Sequence, residues 1–92
     1  MTTDERFDNK LMPEPNTGCL LYTGIITDRG YGQFRIKRVR IAAHKFAYER
    51  VYGPVPEGLE LHHICHQRIC CEVNHLVPLT RFDHAQVHKL SR

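Results

Sequence analysis

Leu61-His62-His63-Ile64-Cys65-His66-Gln67-Arg68-Ile69-Cys70-Cys71-Glu72-Val73-Asn74-His75-Leu76, read with the His84-x-x-x-His88 pair beyond it, holds six of the chain's seven histidines and three of its four cysteines. Packing does not concentrate Cys and His in this way, whereas metal binding and proton transfer do. Within the stretch, Cys65-x4-Cys70-x4-His75 offers two thiolates and one imidazole. These can close three corners of a tetrahedral zinc site, whose structural form takes four Cys/His ligands. Cys19 is the natural fourth ligand, because it would tie the N-terminal hairpin to this segment. Its distance along the chain does not decide the matter, and Cys71 and His66 compete with it. The bland reading is that these are buried free thiols behaving as small hydrophobes.

A second constellation comprises His62, His63, His84 and His88. His84 and His88 stand four apart on an expected helix, one turn apart on one face, a spacing that suits two ligands on one metal ion. His62 and His63 are neighbours at a strand end, where successive side chains leave on opposite sides. They therefore cannot do the same job. One would complete a three-imidazole site, and the other would face the open side, where a phosphate and its attacking water could sit. A neutral imidazole, with an intrinsic pKa near 6.5, can take the water's proton near neutral pH.

Around this centre the coarse order is hairpin, helix, then strand, loop, strand, helix. Leu59 to His62 alternates as a short strand, Leu76 to Leu79 is its returning partner, and Pro78 is confined to an edge or strand end. A last helix begins near Arg81, with Thr80 as N-cap and Asp83 in the capping-box position. Upstream, Ala42 to Tyr52 reads as a helix with Ala43, Phe46, Ala47 and Val51 on one stripe and Gly53-Pro54 as its stop. Cys19 to Tyr22 and Ile25-Ile26 are β-favouring, and Asp28-Arg29-Gly30 is a turn signal. The alternation of Phe34 and Ile36 changes phase at Val39 and Ile41, which requires a tight turn at Lys37-Arg38, although neither residue is the Gly or Asn such a turn prefers. Met1 to Thr17 shows no clear period and reads as an arm or a frayed helical turn.

At 92 residues and 41% hydrophobic, with no Trp, the chain allows one small domain with a thin core. Four cysteines could supply two disulfides, but Met1 to Lys10 is polar and unlike a signal peptide. That implies a reducing, cytoplasmic setting in which Cys mixed with His reads as metal binding. No apolar run is long enough to span a membrane. A formal charge of +3 and a pI near 8.8 fit a polyanionic partner without demanding one.

The run His63-Ile64-Cys65, Cys70 and His75-Leu76, followed by His84, resembles the His-Cys box of ββα-metal (His-Me finger) homing endonucleases. Gly18-Cys19-Leu20-Leu21-Tyr22-Thr23-Gly24, Gly30-Tyr31-Gly32, Ala43-His44-Lys45-Phe46-Ala47-Tyr48-Glu49 and Gly53-Pro54-Val55-Pro56-Glu57-Gly58-Leu59 are similar to the HNH endonucleases of the same superfamily. The resemblance covers roughly Gly18 to His88. It implies an α+β fold: a small zinc-stapled ββα-metal domain preceded by a β-hairpin and a helix. Residues 1–17 would be an N-terminal arm and 18–92 the nuclease domain, with the hairpin and helix over 18–53 and the ββα-metal unit over 59–91.

The same resemblance implies roles. His63 matches the general base, and His84 matches a position that binds the catalytic metal ion. His62 stands where many relatives have a metal-binding Asp, and His88 would be a further ligand. Cys65, Cys70 and His75 match structural zinc ligands, and Cys19 matches a distant upstream cysteine. The chain departs from the family at Cys71-Glu72-Val73, where Val-Asn-Pro is usual, and at Gln67, where Asn is usual. Exchanging oxygen donors for imidazoles favours Zn, Ni, Co or Mn over Mg as the catalytic ion. The implied activity is hydrolysis of DNA phosphodiester bonds, as a nick from one site or a double-strand break from a homodimer.

Arg35, Lys37, Arg38 and Arg40 give the expected hairpin a basic edge, and a two-stranded ribbon is an element that fits a major groove. They are the expected DNA contacts, to phosphate before base. His44 reads as a packed or capping histidine, and Tyr22, Tyr31 and Tyr48 as core or rim residues. Two other functions compete with the DNase: a non-catalytic zinc-containing module that only binds DNA or protein, and an RNA nuclease.

Overall fold

Thr2 accepts from the Glu5 backbone N–H while the Glu5 carboxylate accepts from the Thr2 N–H. This capping box starts a short helix, α1 (Thr3–Asp8). The computed structural model describes residues 1–80. The first seventeen residues, expected as an arm or frayed turn, supply α1 and a strand, β1 (Leu11–Glu14), antiparallel to β2 (Cys19–Tyr22). The reason is Phe7. Its ring is fully buried, 5.8 Å from Tyr22, 5.0 Å from Phe34 and 4.7 Å from Phe46 between centroids. A chain with so little core draws on its N-terminal residues to fill it. Arg50 closes the seam, bonding Asp8 at 2.6 Å and lying 4.8 Å above the Phe7 ring.

β3 (Ile25–Ile26), β4 (Gly32–Ile36) and β5 (Val39–Ala42) form an antiparallel sheet in that order. The β4–β5 register pairs Phe34 with Ile41 and Ile36 with Val39, so the phase change is absorbed by a two-residue turn at Lys37-Arg38 as expected. Both turn residues have positive φ, 46° and 72°. That conformation matches hairpin twist but is uncomfortable for residues with a Cβ. At Gly32, a Cβ would lie 2.5 Å from the Tyr22 ring, so only glycine lets Tyr22 cross the sheet and donate to the Gln33 carbonyl at 2.8 Å.

α2 (Ala43–Tyr52) buries Ala43 and Ala47 and rests Phe46 on the core, as its stripe predicts, and Gly53 at φ 88° ends it. Val51 departs from the stripe: it is 56% exposed because the last turn runs past the core cluster. β6 (Leu59–His63) pairs antiparallel with β7 (Leu76–Thr80), His62 opposite Val77 and His63 opposite Leu76, and the Cys/His loop lies between them. Cys71 belongs to the aromatic core. Thr80 is the last residue of β7, and the expected helix from Arg81 lies outside the described residues. Among the described residues no helix is long and apolar enough to cross a membrane.

Candidate functional site

The loop between β6 and β7 is folded back onto β2 by backbone pairing. The Tyr22 N–H donates to the Ile69 carbonyl at 2.9 Å, and the Cys71 N–H donates to the Leu20 carbonyl at 2.7 Å. This brings Cys70 beside Cys19, the first residue of β2. Gly18, at φ 74°, makes the turn that delivers Cys19, and a left-handed residue without a Cβ suits that turn. At the other end a 3-10 turn, Val73–His75, is capped by the Glu72 carboxylate, which accepts from the Asn74 N–H at 3.2 Å. The turn swings His75 inward, and its carbonyl accepts from the Ile64 N–H at 2.9 Å.

Cys19, Cys65, Cys70 and His75 thus converge, with their ligand atoms all within 4.8 Å of one another. His75 Nδ1 lies 3.6 Å from Cys19 Sγ and 3.5 Å from Cys70 Sγ. With Zn–S near 2.3 Å and Zn–N near 2.0 Å, a tetrahedral zinc ion would set this sulfur–nitrogen edge at about 3.5 Å. Three thiols and an imidazole are also a soft donor set of the kind zinc takes. The cluster can therefore hold one metal ion such as zinc, with Cys19 as the fourth donor.

The competitors for that position are used elsewhere. Cys71 is buried in the aromatic core, which pushes its thiol up to about 12. His66 sits at φ 60° in the turn after β6, its ring 5.9 Å from that of His62. Burial also pushes the Cys70 thiol up to about 12. Cys19 is drawn below its ordinary value: burial acts to raise it, but hydrogen bonds with Thr17, Cys70 and Cys65 outweigh that. The Glu72 N–H donates to Cys70 Sγ at 3.4 Å, an outer contact of the kind that stabilises thiolate ligands.

His62 and His63 are both buried, and their rings leave β6 toward different neighbours, as the strand's alternation requires. The His62 ring neighbours His66, while the His63 ring lies 4.7 Å from His44 and 6.1 Å from Tyr31. His63 Nε2 is 3.1 Å from the Cys70 carbonyl oxygen. A carbonyl only accepts, so Nε2 carries the proton and Nδ1 of the neutral ring is its basic nitrogen. Burial, then the neighbouring His63 and Lys45, push His44 down to about 4. It is neutral at pH 7 and sets no positive ring against His63.

The Cys70 carbonyl that orients His63 is backbone and carried no legible sign in the sequence. Tyr31, expected at the core or rim, and His44, expected as a packed or capping histidine, reach His63 through tertiary packing that no local pattern reveals. Arg35 and Arg40 are directly opposed across β4 and β5, and Lys37 and Arg38 form the exposed tip between them. His84 and His88 lie outside the described residues.

The architecture and this loop agree with the comparison to known families. The HNH endonuclease family matches residues 42–86, which run from the end of β5 through α2 and the Cys/His segment. The chain belongs to the HNH endonuclease family. Among curated proteins it is similar to "Protein 7.7" of Escherichia phage T7, 34% identical over 74% of this chain and 52% of that protein. It is also similar to the "Uncharacterized gene 5.3 protein" of Enterobacteria phage T3, 32% identical over 74% of each. The chain thus spans about half the length of the phage T7 relative. No solved structure gives a significant match.

Proposed function

We propose that the chain is a metal-dependent DNA endonuclease with His63 as general base. The observation that carries this is the His63 Nε2 contact to the Cys70 carbonyl, 3.1 Å, on a histidine in the family's matched segment. The bond holds the ring still and assigns the basic nitrogen, which is what a base that deprotonates an attacking water requires. His63 takes that proton as the water's oxygen bonds to phosphorus, and the 3′ oxygen leaves, giving 5′-phosphate and 3′-hydroxyl ends. His62, with His84 and His88, would hold the catalytic divalent ion, Zn, Ni, Co, Mn or Mg. When bound, that ion supplies charge stabilisation on the phosphate and the departing oxygen. The Cys19, Cys65, Cys70 and His75 set takes a separate structural zinc, since four protein donors leave no position for substrate.

Arg35, Lys37, Arg38 and Arg40 contact the DNA backbone from the hairpin. One site cuts one strand, and a double-strand break needs a second copy or a second event.

The competing reading, a zinc-containing DNA-binding module without catalysis, draws on one observation: among the described residues the only group of metal donors is the Cys/His cluster. Cleavage of supercoiled plasmid separates the two. Zinc-loaded protein freed of other ions, then supplied with Mg, Mn, Ni, Co or Zn in turn, is expected to nick the plasmid with at least one of them. Folded protein that retards the plasmid but leaves it intact with every ion would support the binding module.

A further inference from the structure

The described residues sort their charges. Asp4 and Asp8 of α1 both turn to Arg50. On the other side of α1, a groove of about 330 Å³ opens between the α1–β1 corner and the β3–β4–β5 sheet. Its cations are Arg6, Lys10, Arg35, Lys37 and Arg38, and no carboxylate lines it. Five like charges around one concavity repel one another unless an anion enters.

Two features show that the cations are held there rather than gathered by chance. The Arg6 guanidinium is fixed at 4.9 Å above the Phe34 ring and donates to the Arg35 carbonyl. Lys37 and Arg38 occupy left-handed positions that Asn and Gly would take more easily, so the turn carries its charges at a conformational cost.

We propose that Arg6 and Lys10 extend the hairpin's DNA contact into this groove, which with Arg35, Lys37 and Arg38 grips the phosphate backbone of a duplex to one side of the scissile bond. The proposal rests on the nuclease reading for its placement. β4 leaves Tyr31, beside His63, and reaches its far end at Ile36 five residues later, about 17 Å at the rise of a strand. That is about five base pairs of B-form duplex. A duplex is favoured over a single strand because the aromatic residues of the groove, Tyr22 and Phe34, are buried in the core and offer no platform for unstacked bases. Contacts to phosphate alone make the site indifferent to sequence.

The test is a salt titration of duplex binding by zinc-loaded protein without added catalytic ion, for the unmodified chain, Lys10→Gln, and Arg6→Gln with Lys10→Gln. Each phosphate contact removed is expected to lower the slope of log K against log salt by about 0.9, and the pair by about 1.8, equally on unrelated sequences. Lys10→Gln carries the test by itself if loss of the Arg6 packing unfolds the double variant. An unchanged slope in folded Lys10→Gln overturns the groove, even for a chain that cleaves plasmid. The expected slopes in a chain that cleaves with no ion leave the groove standing and remove the nuclease reading. Tighter binding of single-stranded DNA or RNA than of duplex of equal length overturns the duplex assignment.

Discussion

The Cys19–Cys65–Cys70–His75 cluster and the group of rings around His63 are joined by one residue, Cys70, whose sulfur faces the first and whose carbonyl faces the second. They are built on opposite plans. In the cluster four donors from β2, the loop and the 3-10 turn point inward at one another, and backbone pairing to β2 holds them there. Around His63, aromatic and imidazole rings pack side by side, and His44 Nδ1 is buried with no hydrogen-bond partner among the described residues. The first arrangement could be completed by one metal ion such as zinc, which would leave no open position. The second fixes the His63 ring through the Cys70 carbonyl and sets beside it a neutral His44 whose Nδ1 is left unbonded among the described residues. The contrast teaches that one Cys- and His-rich stretch builds two different arrangements, and that the Cys70 backbone links the donor cluster to the His63 ring.

Breaking the closed region should have the largest effect. Chelation of zinc, or Cys65→Ala, is expected to abolish the cooperative thermal transition, followed by circular dichroism with zinc counted in the same sample. Structural zinc is worth on the order of 10 kcal/mol in small zinc domains, comparable with the whole net stability of a domain. Because burial holds the metal-free Cys70 thiol up at about 12, loading must expel its proton, so zinc occupancy falls as pH falls. A melt indifferent to chelation would mean that the four residues are packed thiols and no more.

The buried ring group sharpens the contrast through acid. His44 is depressed from 6.5 to about 4, so below 6.5 the unfolded chain binds a proton that the folded chain refuses. Stability is therefore fully present above pH 6.5 and is lost as pH falls toward 4, by up to about 3 kcal/mol at one pKa unit per 1.36 kcal/mol. Denaturant titrations across that range should show the loss, and His44→Phe should remove its share of the slope. An unaltered slope would place the acid sensitivity in other groups.

The smallest effect is at the hairpin tip. Lys37→Asn with Arg38→Gly places the residues preferred at positive φ into the turn and is expected to stabilise the fold by about 1 kcal/mol. It should weaken DNA retention at the same time. A gain in denaturant midpoint with unchanged retention would show that these cations do not touch DNA.

What the sequence revealed follows from range. The β4–β5 turn, α2 and the β6-loop-β7 unit are local patterns of period, Gly-Pro stops and phase, and all appear where those patterns put them. The cluster was legible as a donor set, but Cys19 became distinguishable from Cys71 and His66 only once β2 was seen to pair with the loop. β1 was missed because Pro13 argues against a strand, and α1 was read as no more than an arm or a frayed turn because one buried ring, Phe7, leaves no periodicity, although Thr2 and Glu5 carried a capping-box spacing. Val51 illustrates the reverse: the helical stripe runs on after the core beneath it has ended.

The most direct test of two sites with separate jobs compares the unmodified chain with His63→Ala, measuring zinc per chain and plasmid cleavage on the same preparations. One zinc per chain in both, a matching melt, and cleavage reduced by about 10²–10⁴-fold in the variant is the expected result for loss of a general base. Equal cleavage by both, or loss of the zinc along with the activity, would contradict it.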